Sequence, residues 1–256
     1  MKKIVFSIIA LMSATVNFAQ SNYSEINQIG LANVTYVEQL GATNRSIVYQ
    51  DGSNNFSSQV QLGISNLSNL EQIGNANVSI VNQDGSTNVS NVVQLGGANV
   101  SSLEQIGIRN TNIVNQDGNA NESEVLQVGM DNISDVIQEE ANNTNFIDQL
   151  GNDNSSTVDQ YGSSNGSLAI QNGNKNNSDV EQFGDFNSNE LLQFGNSNES
   201  LVAQLGNRNT SITSQNGATN GSFVSQFGND NYSMVSQLGT SNGSIVVQNS
   251  NLKNYQ

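Results

Sequence analysis

The sequence predicts an all-β protein: a β-solenoid of 11-residue units, each made of one strand and one tight arc. Three observations lead to this fold class. A glutamine recurs every 11 residues from Gln28 to Gln248, and an asparagine keeps the same step from Asn22 to Asn242. A glycine follows nearly every one of these glutamines by two residues. A fixed period held over so many units is typical of stacked-repeat architectures.

The strand of each unit is predicted from alternate residues of constant type. In the unit that opens with Asn77, these are Asn77, Ser79, Val81, Gln83 and Gly85, while the residues between them vary from unit to unit. Because side chains of a strand alternate between two faces, the constant residues share one face. We expect that face to be the interior, with one aliphatic residue per strand.

The arc is predicted from the glycine and the two residues that separate it from the next asparagine. So short a connection leaves room only for a tight turn of the backbone, and glycine reaches the required angles at little cost. The predicted arc glycines include Gly30, Gly41, Gly52, Gly85 and Gly239.

Interior asparagine and glutamine side chains need hydrogen-bond partners, since burying an unpaired amide is costly. Stacked identical units provide them, because each amide can bond to the same amide in the layers above and below, as in cross-β assemblies. The predicted ladder includes Asn22, Gln28, Asn33, Gln39, Asn44, Gln50, Asn77, Gln83, Asn231, Gln237, Asn242 and Gln248.

The number of strands per coil has two interpretations. Asp51, Asp84 and Asp117 each follow a repeat glutamine at a spacing of 33 residues, which indicates a three-sided coil. A coil of 22 residues with two strands is favoured, because the small inward residues would underfill a triangular interior. It also keeps these carboxylates from stacking directly on one another. The favoured solenoid has about ten coils and is roughly 50 Å long at about 4.8 Å per coil.

The N-terminus predicts export. Lys2 and Lys3 precede a short apolar run that ends near small residues, which is typical of a secretory signal peptide over residues 1–19. Residues 20–256 are then a single solenoid domain. We expect the mature chain to be exported.

The composition excludes several classes of function. The 22 acidic and seven basic residues give a net charge of −15, which disfavours nucleic acid and anionic membranes as partners. With no cysteine and no histidine, the chain lacks the usual residues for disulfides, covalent catalysis and zinc binding. The acidic residues lie at variable outward positions, so we expect no enzyme activity, no cofactor and no metal site.

The repeat resembles that of a known family. Ser90, Gln94, Gly96 and Asn99 fall on the pattern N-x-S-x-x-x-Q-x-G-x-x-N of the curlin repeat, and the pattern extends over essentially the whole mature chain. The resemblance implies a β-solenoid subunit of a secreted curli-like amyloid fibre, which supports biofilm formation and adhesion. The partners it implies are further copies of the chain, a nucleator subunit and an outer-membrane secretion apparatus. The alternatives are the cell-surface nucleator itself and a β-solenoid adhesin that does not polymerise.

Polymerisation is also expected from the termini, because the repeats carry no evident capping element and an open strand edge is a template for another chain. Candidate gatekeepers against premature aggregation are Asp51, Asp84, Asp117, Glu139 and Glu140. The alternative for Glu139 and Glu140, which replace the usual apolar–glycine pair, is drift at a tolerant arc. Four outward aromatic residues reflect either strand preference or contacts between fibres: Tyr161, Phe183, Phe194 and Phe227.

Overall fold

A computed structural model describes residues 21–250, and the predicted signal peptide lies outside the described residues. Within this range the chain forms 21 β-strands and no helix, arranged in two parallel sheets. Successive strands alternate between the sheets, so one sheet holds the 11 odd-numbered strands and the other the 10 even-numbered strands. The predicted β-solenoid is therefore confirmed.

The strand bounds follow the 11-residue period. The 11-stranded sheet contains β1 (Tyr23–Leu31), β3 (Arg45–Ser53), β5 (Leu67–Asn75), β7 (Val89–Gly97), β9 (Thr111–Asn119), β11 (Ile133–Ala141), β13 (Ser155–Tyr161), β15 (Asn177–Phe183), β17 (Glu199–Leu205), β19 (Gly221–Phe227) and β21 (Gly243–Asn249). The 10-stranded sheet contains β2 (Val34–Ala42), β4 (Phe56–Ile64), β6 (Val78–Ser86), β8 (Val100–Ile108), β10 (Glu122–Met130), β12 (Thr144–Asn152), β14 (Gly166–Asn174), β16 (Ser188–Asn196), β18 (Thr210–Ala218) and β20 (Tyr232–Thr240).

The pairing register fixes the coil at 22 residues. Each strand pairs with the strand two units later, so that Gln83 of β6 lies beside Gln105 of β8. The favoured two-strand coil is confirmed and the 33-residue alternative is wrong. Asp51 and Asp84 belong to different sheets, so the 33-residue spacing of the aspartates does not correspond to stacked positions.

The core lies between the two sheets and is one residue wide in each strand. Val81, Val92 and Val114 are fully buried, as are the aliphatic residues at the equivalent place in most other units. Around this column the interior is polar, with asparagine, serine and glutamine side chains almost completely shielded from solvent. Since the apolar column is so narrow, hydrogen bonding between coils must stabilise much of the interior.

The arcs contain two residues with positive φ. One is the glycine, as at Gly85 with φ 123°, and the other is the residue just before the asparagine, as at Thr87 with φ 60°. Sequence reasoning identified only the first. It also placed the glycine on the inward face, whereas the structure places it half-buried where the backbone turns. The second residue is held by stacking, since the N–H of Thr87 donates to the carbonyl of Ile64 in the preceding coil at 2.9 Å.

Candidate functional site

Two glutamine ladders run along the solenoid, one in each sheet. In every coil the side-chain Nε2 donates to the Oε1 of the glutamine 22 residues on, as from Gln83 to Gln105 at 2.8 Å. The 11-stranded sheet carries the ladder from Gln28 to Gln248, and the 10-stranded sheet carries the one from Gln39 to Gln237. The ladder glutamines of the inner coils are fully buried, so these bonds satisfy amides that have no access to water.

From Gln39 onward, the second N–H of each ladder glutamine joins the two sheets. Nε2 of Gln83 in β6 also donates to the main-chain carbonyl of Leu67, the first residue of β5 in the other sheet, at 3.0 Å. The same bond recurs 16 residues back along the chain throughout the solenoid, for example from Gln127 to Thr111 at 3.0 Å. Each glutamine therefore stabilises both the stacking of coils and the contact between sheets.

The asparagines form the expected amide-to-amide bond in some coils and bond mainly to the backbone. The main-chain N–H of Asn77 donates to Oδ1 of Asn55 at 3.0 Å, and Nδ2 of Asn77 donates to the carbonyl of Gly96 at 3.2 Å. The side chain thus bonds mainly to the backbone of neighbouring coils, and Nδ2 also donates to Oδ1 of Asn55 at 3.2 Å. Because the arc turns here, the asparagine acts as a cap for the backbone groups that the bend exposes.

The two glutamine ladders end differently at the two ends of the solenoid. Within residues 21–250, no donor reaches Oε1 of Gln28 or Gln39. At the other end, the only bond of Nε2 of Gln237 and of Gln248 to another described residue is the one to the opposite sheet, to the carbonyls of Gly221 at 2.8 Å and Tyr232 at 2.6 Å. One end therefore presents amide acceptors and the other presents amide donors.

The open strands at these ends form two surfaces. The N-terminal edge consists of β1 and β2, and the C-terminal edge consists of β20 and β21, each strand paired on one side only within the described residues. Both edges carry exposed apolar side chains: Leu31 is 73% exposed at the first edge, and Leu238 and Ile245 are 80% and 79% exposed at the second. An unpaired edge with apolar side chains is a template for another strand.

Four of the five predicted gatekeepers occupy one outward position, directly after the glutamine, and Glu140 is the exception. Asp51 and Asp117 lie on the 11-stranded sheet and Asp84 on the other. Asp51 stands between Ile29 and Ile73, so it interrupts an apolar column with a charge. Their role as gatekeepers stays a prediction.

Glu139 pairs directly with Asp117, which places two carboxylates side by side. Glu140 takes the place of an arc glycine with φ 71°, and its carbonyl accepts from Nδ2 of Asn121 at 3.1 Å, as a glycine carbonyl does elsewhere. After this arc, the strands of the 11-stranded sheet shorten from nine residues to seven, beginning with β13. The Glu139–Glu140 pair thus marks a change in arc geometry on that sheet.

The same sheet carries a cluster of carboxylates centred on Asp159. Partial burial and, after it, the neighbouring carboxylates of Asp135, Asp179, Glu181 and Glu139 together raise the pKa of Asp159 to about 6. Burial also raises the pKa of Asp135 and of Asp179 above the ordinary value for aspartate. Since the charged forms repel one another, this face is least strained when protons are taken up.

Sequence reasoning placed the outward aromatic residues in one group and missed two ion pairs. Tyr161 and Phe183 stack with ring centroids 4.7 Å apart, whereas Phe194 lies on the opposite sheet and belongs to another column. Arg109 forms a bidentate ion pair with Asp131 at 2.6–2.7 Å, and Arg208 pairs in the same way with Asp230. In both pairs the partners are 22 residues apart, a spacing that could have identified the coil length from the sequence.

The described residues contain no cluster of three or more acidic, histidine or cysteine residues able to hold a metal ion. They also contain no helix of the length and hydropathy needed to cross a membrane. The functional chemistry that the geometry offers is strand pairing and amide hydrogen bonding at the two edges.

Comparison with known families gives a match to the curlin associated repeat, over residues 151–184 and residues 206–239. Each matched segment is slightly longer than one and a half coils of the solenoid. No curated protein matches the chain.

Proposed function

Since this chain is a curlin-repeat protein, we propose that it is a secreted structural subunit of an extracellular amyloid fibre. In this proposal, folded subunits join end to end through their open strand edges. The β-solenoid and the repeat family both point to a structural protein. The fibre would serve in biofilm formation and adhesion at the bacterial surface.

The observation that carries the proposal is the complementarity of the two edges. Gln237 and Gln248 present amide donors at the C-terminal edge, and Gln28 and Gln39 present acceptors at the N-terminal edge. A second copy placed head to tail therefore completes both ladders with the bond already repeated inside each molecule. Head-to-head contact would bring donors against donors, so the edges favour a polar fibre.

The charge of the chain sets the conditions for assembly. At a net charge of −15, subunits repel one another in dilute buffer. Screening by salt shortens the range of that repulsion to about 10 Å at 0.1 M ionic strength. Fibre growth is therefore expected to speed up with salt. The proposed partners are other copies of the chain, a nucleator subunit and an outer-membrane secretion apparatus.

The test is electron microscopy of residues 20–256 diluted from denaturant, together with the kinetics of seeded growth. We expect unbranched fibres a few nanometres wide that elongate faster when fibre fragments are added. Monomeric, β-rich particles that persist at all salt concentrations would contradict polymerisation and favour the non-polymerising adhesin.

A matched pair of variants tests the edge chemistry. Gln248→Glu replaces the amide donor of the C-terminal edge with a carboxylate that cannot donate. Val247→Glu adds the same charge on the outward face of the same strand, where the side chain is 63% exposed. We expect Gln248→Glu to slow elongation at least tenfold more than Val247→Glu in 0.15 M salt. Equal rates would mean that the ladder is not what joins the subunits.

A further inference from the structure

The number of strands in the described solenoid is odd, and this determines which sheet meets which at a junction. Both β1 and β21 belong to the 11-stranded sheet, while the 10-stranded sheet ends at β2 and β20. Consecutive units lie on opposite sheets all along the chain. A strand that continues the solenoid beyond β21 must therefore lie on the 10-stranded sheet, beside β20.

We propose that successive subunits of the fibre are turned by half a turn about its axis, so that β1 of the incoming copy pairs with β20 and its β2 pairs with β21. This inference rests on the proposed end-to-end assembly and specifies its geometry. The 11-stranded sheet of one subunit then continues as the 10-stranded sheet of the next. The half-turn adds to whatever twist the sheets themselves have.

The arrangement without rotation leaves a gap. If β1 of the incoming copy paired with β21, the next strand, β2, would follow on the other sheet two strand spacings beyond β20. That separation is about 9.6 Å, against about 4.8 Å for a hydrogen-bonded pair. The backbone groups of β20 and β2 would face each other without partners, which is costly in a buried junction.

The side chains of the edge strands also match in the rotated arrangement. With Gln237 beside Gln28, the internal register places Tyr232 beside Tyr23 and Leu238 beside Ile29. Leu238 is 80% exposed in the single subunit, so this pairing covers the most exposed apolar side chain of the C-terminal edge. Without rotation, Tyr23 would instead face Gly243, which has no side chain to pack against it.

The half-turn has a consequence for the surface of the fibre. The carboxylate cluster around Asp159 and the stacked Tyr161–Phe183 pair lie on one sheet only. Rotation places these features on opposite sides of the fibre in alternate subunits. With a subunit length of roughly 50 Å, each face repeats the features about every 100 Å.

Disulfide trapping tests the junction, because the chain has no cysteine of its own. Paired residues of adjacent strands lie within the Cα separation of about 4.4–6.8 Å that a disulfide spans. Glu25 of an incoming copy lies beside Met234 in the rotated junction and beside Ile245 in the unrotated one. All three side chains are exposed, so Glu25→Cys with Met234→Cys and Glu25→Cys with Ile245→Cys form a matched pair.

Fibres of each double variant are first verified by electron microscopy, then oxidised, dissolved in denaturant without reductant and separated by size. We expect covalent oligomers from Glu25→Cys with Met234→Cys, and at least tenfold fewer from Glu25→Cys with Ile245→Cys. The opposite pattern overturns the half-turn and leaves end-to-end assembly intact. Fibres in which neither pair cross-links overturn the proposed register, and a failure of both variants and the unmodified chain to form fibres overturns the proposed function.

Discussion

Nε2 of Gln105 donates to Oε1 of Gln127 at 2.8 Å, although the two glutamines are 22 residues apart and both are fully buried. Gln127 in turn donates to Gln149 at 2.8 Å and to the carbonyl of Thr111 at 3.0 Å. A side chain that is expensive to bury alone thus becomes stabilising when every coil repeats it. In the proposed fibre, stability and assembly depend on the same bond.

Gln127→Leu interrupts the ladder in the middle of the solenoid. It leaves one N–H of Gln105 without its acceptor and Oε1 of Gln149 without its donor, and each unpaired buried group costs about 1–3 kcal/mol. We expect a clear fall in the guanidinium midpoint measured by circular dichroism. An unchanged midpoint would mean that the ladder contributes little to stability.

Gln59→Leu is expected to have the opposite effect, although Gln59 is also a fully buried glutamine. It lies in the aliphatic column between Val37 and Val81, and its Nε2 has no partner among the described residues. Its Oε1 accepts from the hydroxyl of Ser46, so one hydrogen bond is lost. Because leucine restores the aliphatic column, we expect the free energy of unfolding to rise by about 1 kcal/mol, and the guanidinium midpoint to rise with it. A lower midpoint would contradict this assignment.

Gly85→Ala tests the packing of the arcs. Gly85 has φ 123°, and a Cβ there would lie 2.0 Å from the carbonyl oxygen of Gly107 in the next coil. We expect destabilisation by more than about 2 kcal/mol, since neither strain nor overlap is relieved by moving a side chain. Gly166→Ala is the control, because nothing lies within 4 Å of its added Cβ. Similar losses of stability in both variants would mean that the contact with Gly107 is not what destabilises Gly85→Ala.

Glu140→Gly restores glycine at the one inner arc of the described coils that lacks it. A non-glycine residue at φ 71° is strained by about 1 kcal/mol, and the exposed charge adds to that of Glu139. We expect a higher guanidinium midpoint. If Glu140 is also a gatekeeper, fibres form with a shorter lag than in the unmodified chain. A higher midpoint with an unchanged lag would instead mean that Glu140 arose by sequence drift at a tolerant arc and is not a gatekeeper.

Asp159 should make the stability depend on pH. Its pKa is about 6 in the folded chain, above the ordinary value of 3.8, so the folded state binds more protons between these values. The free energy of unfolding therefore decreases as pH rises through this window. Asp159→Asn should flatten that dependence of the guanidinium midpoint between pH 4 and 7. Asp51→Asn, between Ile29 and Ile73, is the control; an equal effect there would exclude the cluster as the cause.

The repeat, the fold class and the inward face of each strand follow from the amino-acid sequence alone. The 11-residue period of Gln28 to Gln248 and the alternation within each unit suffice for this, because a strand's faces follow directly from residue parity. The preference for a 22-residue coil came from filling the interior and separating charges. The ion pair of Arg109 and Asp131, which are 22 residues apart, was a further indication of the coil length that sequence reasoning did not use.

The hydrogen-bond partners of the side chains and the neighbours on each face follow from the tertiary structure. The asparagine rung to the backbone and the positive φ of residues such as Thr87 depend on how one arc lies on the next. The juxtaposition of Asp117 with Glu139 and the position of Phe194 on the other sheet depend on which strands share a face. The sequence period determines which residues each coil contains. The direction of the hydrogen bonds and the neighbours on each surface are established only when the coils stack in register.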